Sequence, residues 1–138
     1  MSNYRPKYFK LYELLPPDLY RDEYQGWMLF DEKLLITLDV IREIIGECLI
    51  CNTWFQNGNR RASGYRLPES AVGAKFSQHK QGKAVDLLCA KYTAEQMRKM
   101  IADNADRLPY PIRIERGVSW LHIDTKGGKD KITYFKIN

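Results

Sequence analysis

Between Asp31 and Gly46 the apolar residues Leu34, Leu35, Leu38, Ile41, Ile44 and Ile45 recur at helical spacing. That period gathers them on one stripe, which has to be buried against another element. Asp31 is a good N-cap and Gly46 supplies the stop, so a helix is expected between them. A second helix is signalled by Thr93-Ala-Glu-Gln96, a capping box, and should run to about Asn104. Pro109 and Pro111 close that region. Short apolar runs predict strands at Cys48 to Phe55, Ala84 to Ala90, Ile112 to Arg116, Ser119 to Asp124 and Ile132 to Ile137. The order is helix, strand, long loop, strand, helix and strand meander. It predicts an α+β domain: a small antiparallel sheet with helices packed on one side.

The 138 residues suit a single domain, 1–138, with no linker, low-complexity tract or repeat along them. Residues 1–30, rich in Tyr and interrupted by Pro16-Pro17, read as an aromatic N-terminal arm with a short helical turn at Leu11 to Leu15. Gln56 to Gln81 holds three glycines and many polar residues and reads as a long loop, a length that usually serves function or motion. No apolar run reaches the ~18 residues that span a bilayer, so no membrane partner is expected. Met1 to Lys10 lacks the apolar core of a signal peptide, which predicts cytoplasmic synthesis. Twenty-two Lys and Arg against 17 Asp and Glu give a net charge of +5, scattered along the chain. A nucleic-acid module would cluster that charge on one element, and none is expected here. The mild positive charge also suits an acidic polymer such as a bacterial wall. Three cysteines rule out a fully paired disulfide framework. Cys48 and Cys51, three apart on an expected buried strand, point to opposite faces and read as core thiols, as does Cys89.

The chain has two histidines. His79 sits in the loop, seven residues before Asp86, with Gly82 between them to allow a sharp turn. His122 lies in the strand Ser119-Trp-Leu-His-Ile-Asp124. Two His and one carboxylate form a catalytic zinc set with a fourth position left for water. Spacing alone equally allows hydrogen-bonded structural histidines. If Gly117-Val118 is a two-residue type II′ turn, Arg116 pairs with Ser119 and Glu115 with Trp120. Glu115 then shares a face with His122, diagonal to it at roughly 7–8 Å between backbones. A carboxylate there can act as general base towards water on an ion held by His122. It can equally be a solvated strand carboxylate. Asp124 is the rival base, or a group that orients a ligand.

Three strings, Ser63-Gly-Tyr-Arg66, Ser77-x-His79-x-x-Gly82-x-Ala84-x-Asp86 and Trp120-x-His122-x-Asp124, resemble the zinc peptidases that include D-alanyl-D-alanine carboxypeptidases. VanX-type D,D-dipeptidases and phage L-alanyl-D-glutamate endolysins belong to the same group, and the hedgehog signalling domain shares its fold. The resemblance covers about Cys48 to Thr125. It implies a hedgehog-like α+β fold and one Zn2+ ion on His79, Asp86 and His122. It implies that Arg66 binds and polarises the substrate carbonyl or stabilises the developing oxyanion. Ser77 is implied as a substrate contact, with a loop cap as the alternative, and Trp120 as a further substrate-binding residue. Gly82 and Ala84 are implied to be small so that the backbone can crowd the metal. Many members carry Glu-x-x-His before the last ligand. Here that position is Ser119, and Glu115 is the available match for members whose Glu lies further upstream.

The expected activity is zinc-dependent hydrolysis of peptidoglycan peptides, of D-Ala-D-Ala carboxypeptidase or L-Ala-D-Glu endopeptidase type, by a monomer. The expected setting is phage or bacterial wall lysis or remodelling, with release to the wall after synthesis in the cytoplasm. The alternative is a non-catalytic zinc-stabilised binding or virion module of the same fold.

Overall fold

The structure, a computed structural model, describes residues 3–70, 72, 74 and 77–137. Positions 71, 73, 75 and 76 of the expected long loop, and residues 1 and 2 of the arm, lie outside the described residues. Four α-helices are present among those described: α1 (Leu11–Leu14), α2 (Glu23–Trp27), α3 (Glu32–Ile45) and α4 (Ala94–Asp103). Four strands follow: β1 (Ala84–Leu87), β2 (Ile112–Glu115), β3 (Leu121–Asp124) and β4 (Ile132–Phe135). The two long helices end as their sequences dictate. Asp31 accepts from Lys33 N–H and Gly46 closes α3 in the left-handed conformation, while Thr93 and Gln96 form the expected capping box.

The sheet order is β1-β3-β2-β4. β1 and β2 each pair antiparallel with β3, but β4 pairs parallel with β2. The expected all-antiparallel meander is thus corrected to a mixed sheet. The 125–131 connection carries the chain past the start of β2, where Gly127 lies against Pro111, to the far edge. The expected strand from Cys48 to Phe55 is also corrected: only Ile50 bridges, to Leu88. Asn52 leaves the sheet direction to bond elsewhere. Its side chain donates to Leu15 O and accepts from Ser63 N–H, and its own N–H donates to Glu13 O. Cys51 is buried, as expected of a core thiol, whereas Cys48 is exposed and Cys89 half-buried.

Register gives the sheet two unlike faces. Val85, Leu87, Leu121, Ile123, Ile112 and Ile114 project to one side, all buried, and join one core with the apolar stripes of α3 and α4. The other side carries Asp86, His122 and Glu115 in one cross-strand row and Ala84, Asp124 and Arg113 in the next. The arm is part of the same core: Phe9, Leu11, Leu14, Leu15, Trp27 and Phe30 are all buried in it. No helix among the described residues is long and apolar enough to cross a membrane.

Candidate metal centre

The polar face is completed by the segment that precedes β1. A 3-10 turn, Gln78–Gln81, presents His79 to the sheet, and Ser77 caps it by accepting from His79 N–H. The backbone here is held by the arm. Gly82 has φ of 69°, its carbonyl accepts from Asp31 N–H, and a Cβ on it would meet Leu29 O at 1.9 Å. Gly64 is pressed equally closely on Leu14, whose carbonyl would lie 2.1 Å from an added Cβ and accepts from Tyr65 N–H. Only glycine fits either place. The expectation that Gly82 is needed for geometry agrees, but what crowds it is the backbone at Leu29. Asp86 N–H donates to Ser63 O and Arg66 N–H to His79 O, which ties the Ser63–Arg66 segment to both ligand-bearing pieces.

His79, Asp86 and His122 meet as a buried cluster whose donor atoms lie within 4.8 Å of one another. Asp86 Oδ1 is 3.3 Å from His79 Nε2 and 2.9 Å from His122 Nδ1. Ligands at ~2.0–2.1 Å from a tetrahedral ion stand roughly 3.3 Å apart, close to the separations that Asp86 keeps from the two rings. Proton positions agree with that use. His79 Nδ1 is 2.9 Å from Gly64 O, which can only accept, so Nδ1 carries a hydrogen and Nε2 is the nitrogen turned towards Asp86. His122 Nε2 donates to Asp124 Oδ2 at 2.8 Å, which turns Nδ1 towards Asp86. Asp124 in turn accepts from Nε and Nη2 of Arg113, each at 2.8 Å, and that guanidinium lies 4.2 Å from the Phe135 ring centroid. Arg113, Asp124 and His122 therefore form a carboxylate–histidine relay that fixes ring and tautomer. The cluster could hold a metal ion.

The electrostatics are those of buried groups rescued by their partners. Burial works to raise the Asp86 carboxyl, but hydrogen bonds from His122 and His79 outweigh it and hold it well below the usual carboxylate range. Burial opposes charge on His122 as well, yet bonds to Asp124 and Asp86 push it up to about 9. Asp124 is lowered, the bonds from His122 and Arg113 prevailing over burial. Burial draws the Arg66 guanidinium below its ordinary value, against the pull of Asp86, and leaves it a cation.

Around the cluster lies a cleft of about 590 Å³ lined by Arg66, Ser77, Glu115, Trp120, Lys126 and Ile137 among others. Every residue expected at the site thus borders one cavity. Glu115 sits closer than expected, with Oε1 3.9 Å from His122 Nδ1. The pairs Arg113–Asp124 and Ile114–Ile123 set Glu115 opposite His122, one step nearer than the diagonal, and correct the expected Arg116–Ser119 register. Arg66 is already engaged: its Nε donates to Ala62 O and its Nη2 lies 3.3 Å from Asp86 Oδ2. Of the two roles open to Asp124, its full burial and its bonds to Arg113 and His122 match the orienting one. Sequence reasoning missed Arg113 and the Gly64 carbonyl. Arg113 stands two residues before Glu115, on the same face, so the correct register would have found it.

No protein-family profile, curated protein or solved structure matches this chain.

Proposed function

We propose that this chain is a zinc-dependent peptidase that hydrolyses peptidoglycan peptides. The observation that carries the reading is the convergence of His79, Asp86 and His122, with Glu115 beside them, on the floor of one cleft. The resemblance of the three strings to D-alanyl-D-alanine carboxypeptidases and phage L-alanyl-D-glutamate endolysins supports zinc as the ion, the wall peptide as the substrate and a hedgehog-like version of the α+β fold. When bound, zinc supplies a Lewis acid for a carbonyl and lowers the pKa of water towards about 7. His79, Asp86 and His122 would hold it. Glu115 takes a proton from the attacking water and returns it to the leaving amine. Arg66, fixed in the cleft wall by Ala62 and Asp86, sets a permanent positive charge where the carbonyl oxygen becomes negative. Ser77 and Trp120 border the cleft where a peptide would lie. In this reading the protein works as a monomer on the cell wall, reached after release from the cytoplasm by lysis, with no nucleic-acid or membrane partner.

The test is digestion of purified peptidoglycan by zinc-loaded protein, with new termini identified by mass spectrometry. New D-Ala or L-Ala ends in the wild type, lost in Glu115→Gln while zinc is still bound, are the expected result. Zinc binding without any new termini would sink the hydrolase and leave a zinc-stabilised binding module.

A further inference from the structure

The proposed chemistry uses Glu115 but leaves unexplained a buried arginine behind it. Arg98, on α4, is only 5% exposed. Its Nε donates to Glu115 O at 3.1 Å, and its Nη2 donates to Val118 O at 2.5 Å and to Trp120 O at 3.0 Å. Nη1 reaches Glu95, whose side chain is largely in solvent. One planar group therefore ties together the last residue of β2, the turn, and the residue before β3. The paired residues of β2 and β3 are Arg113–Asp124 and Ile114–Ile123, one step short of Glu115. Beyond them the β4 side of β2 stays paired, through Glu115–Phe135 and Arg116 N–H to Phe135 O, while on the β3 side the connection is closed by the guanidinium. A fork with donors on both edges can do this; an ammonium, a compact point charge, cannot span the same three carbonyls.

We propose that Arg98 is a positioning residue: by holding the carbonyls of Glu115, Val118 and Trp120 it fixes the Glu115 carboxylate beside His122 on the floor of the cleft. The inference rests on reading Glu115 as the base. It separates two tasks within one hairpin. The metal ligands on β1 and β3 and in the 3-10 turn do not depend on Arg98, whereas the placement of the base does.

Arg98→Lys, loaded with zinc, should show amide exchange in residues 117–120 faster by about tenfold or more, with β1 still protected. Zinc affinity, from chelator competition, should stay within about threefold of wild type. With purified peptidoglycan, kcat should fall by about tenfold or more with KM little changed. Arg98 also borders a second cleft of about 660 Å³ that opens to solvent beside Gly117 and Ser119. Guanidinium added at millimolar level should therefore restore protection and kcat to Arg98→Ala but not to Arg98→Lys. Glu95→Ala, which removes only the exposed partner, should behave as wild type. A turn that stays protected in Arg98→Lys, or one that loosens with kcat unchanged, overturns the proposal. So does zinc affinity that falls together with kcat, since Arg98 would then support the whole site. Should the wild type hydrolyse nothing, the peptidase reading fails by itself; the exchange data then decide the clamp, a loosened turn supporting it and an unchanged one refuting it.

Discussion

The two faces of the sheet are made of alternate residues in the same strands, and both are buried. On the apolar face Leu121 and Ile123 are fully enclosed with Val85, Leu87, Ile112 and Ile114. On the polar face His122 and Asp124 are nearly as enclosed, with Asp86 and Glu115 beside them. The first face stabilises the fold in proportion to the area it removes from water. The second spends burial on charged groups, whose desolvation is only offset by pairing among themselves. Among the described residues no buried side-chain polar atom is left without a partner. The charged face is thus held together by its own pairing, and its His79, Asp86 and His122 cluster could hold a metal ion.

Substitutions one residue apart should pull these faces apart. The largest effect is expected for His122→Ala, which removes a ligand. Zinc affinity measured by chelator competition should fall by more than about 100-fold, beyond the range for losing a supporting group. Next comes Leu121→Ala, its neighbour on the other face. It should lower unfolding free energy by about 2–5 kcal/mol in urea titration and leave the zinc affinity of the folded protein unchanged. Equal loss of affinity in both variants would mean the faces are not separable. Asp124→Asn keeps the shape but weakens the hold on His122, and zinc affinity should drop by about 10–100-fold.

Smallest when taken one pH unit at a time is the effect of pH. His122, pushed up to about 9, must give up its Nδ1 proton to a metal ion. Apparent zinc affinity should therefore rise by about tenfold per pH unit from neutrality towards 9, with about one proton released per ion. In the metal-free protein the sign is opposite. A raised histidine stabilises fully below its unfolded value of 6.5 and loses that stabilisation as pH rises through about 9. Asp86 and Asp124, both lowered, stabilise above 3.8 and lose it as pH falls. Melting temperature of the metal-free protein should peak between these limits and decline on both sides. A flat profile from pH 6 to 9 would show that His122 carries no such proton.

The readable parts of this chain were those where one local signal decides the outcome. The Asp31 cap, the Leu and Ile stripe and Gly46 specify α3 without help from the rest of the protein. The Thr93–Gln96 box does the same for α4. The two His stood out because the chain has no others, and Asp86 because it follows His79 by seven residues in the string that resembles the zinc peptidases, although their meeting is a tertiary fact. What could not be read was partner choice. Ile132 to Ile137 has the period of a strand, but nothing in that period says whether it lies beside β3 or crosses to β2. Cys48 to Phe55 looks apolar enough to be a strand, yet Asn52 and Trp54 find better partners in the carbonyl of Leu15. The hairpin register failed for a related reason. Arg98 holds a longer connection open than a two-residue turn would need, and no local pattern around Gly117 reveals an arginine nineteen positions earlier.

The embrace between the arm and the Ser63–Arg66 segment limits how far this protein can be trimmed. Cutting before Asp31 looks natural from sequence, since α3 begins there with its own cap. Such a fragment would strip acceptors from Asn52 N–H, the Asn52 amide, the Trp54 indole and Tyr65 N–H, all satisfied by Glu13, Leu14 and Leu15. It would also take away the surface that Gly64 and Gly82 are shaped to fit. The smallest unit able to present His79 to the sheet therefore includes the aromatic leader, which acts as a mould for the loop and cannot be treated as an appendage.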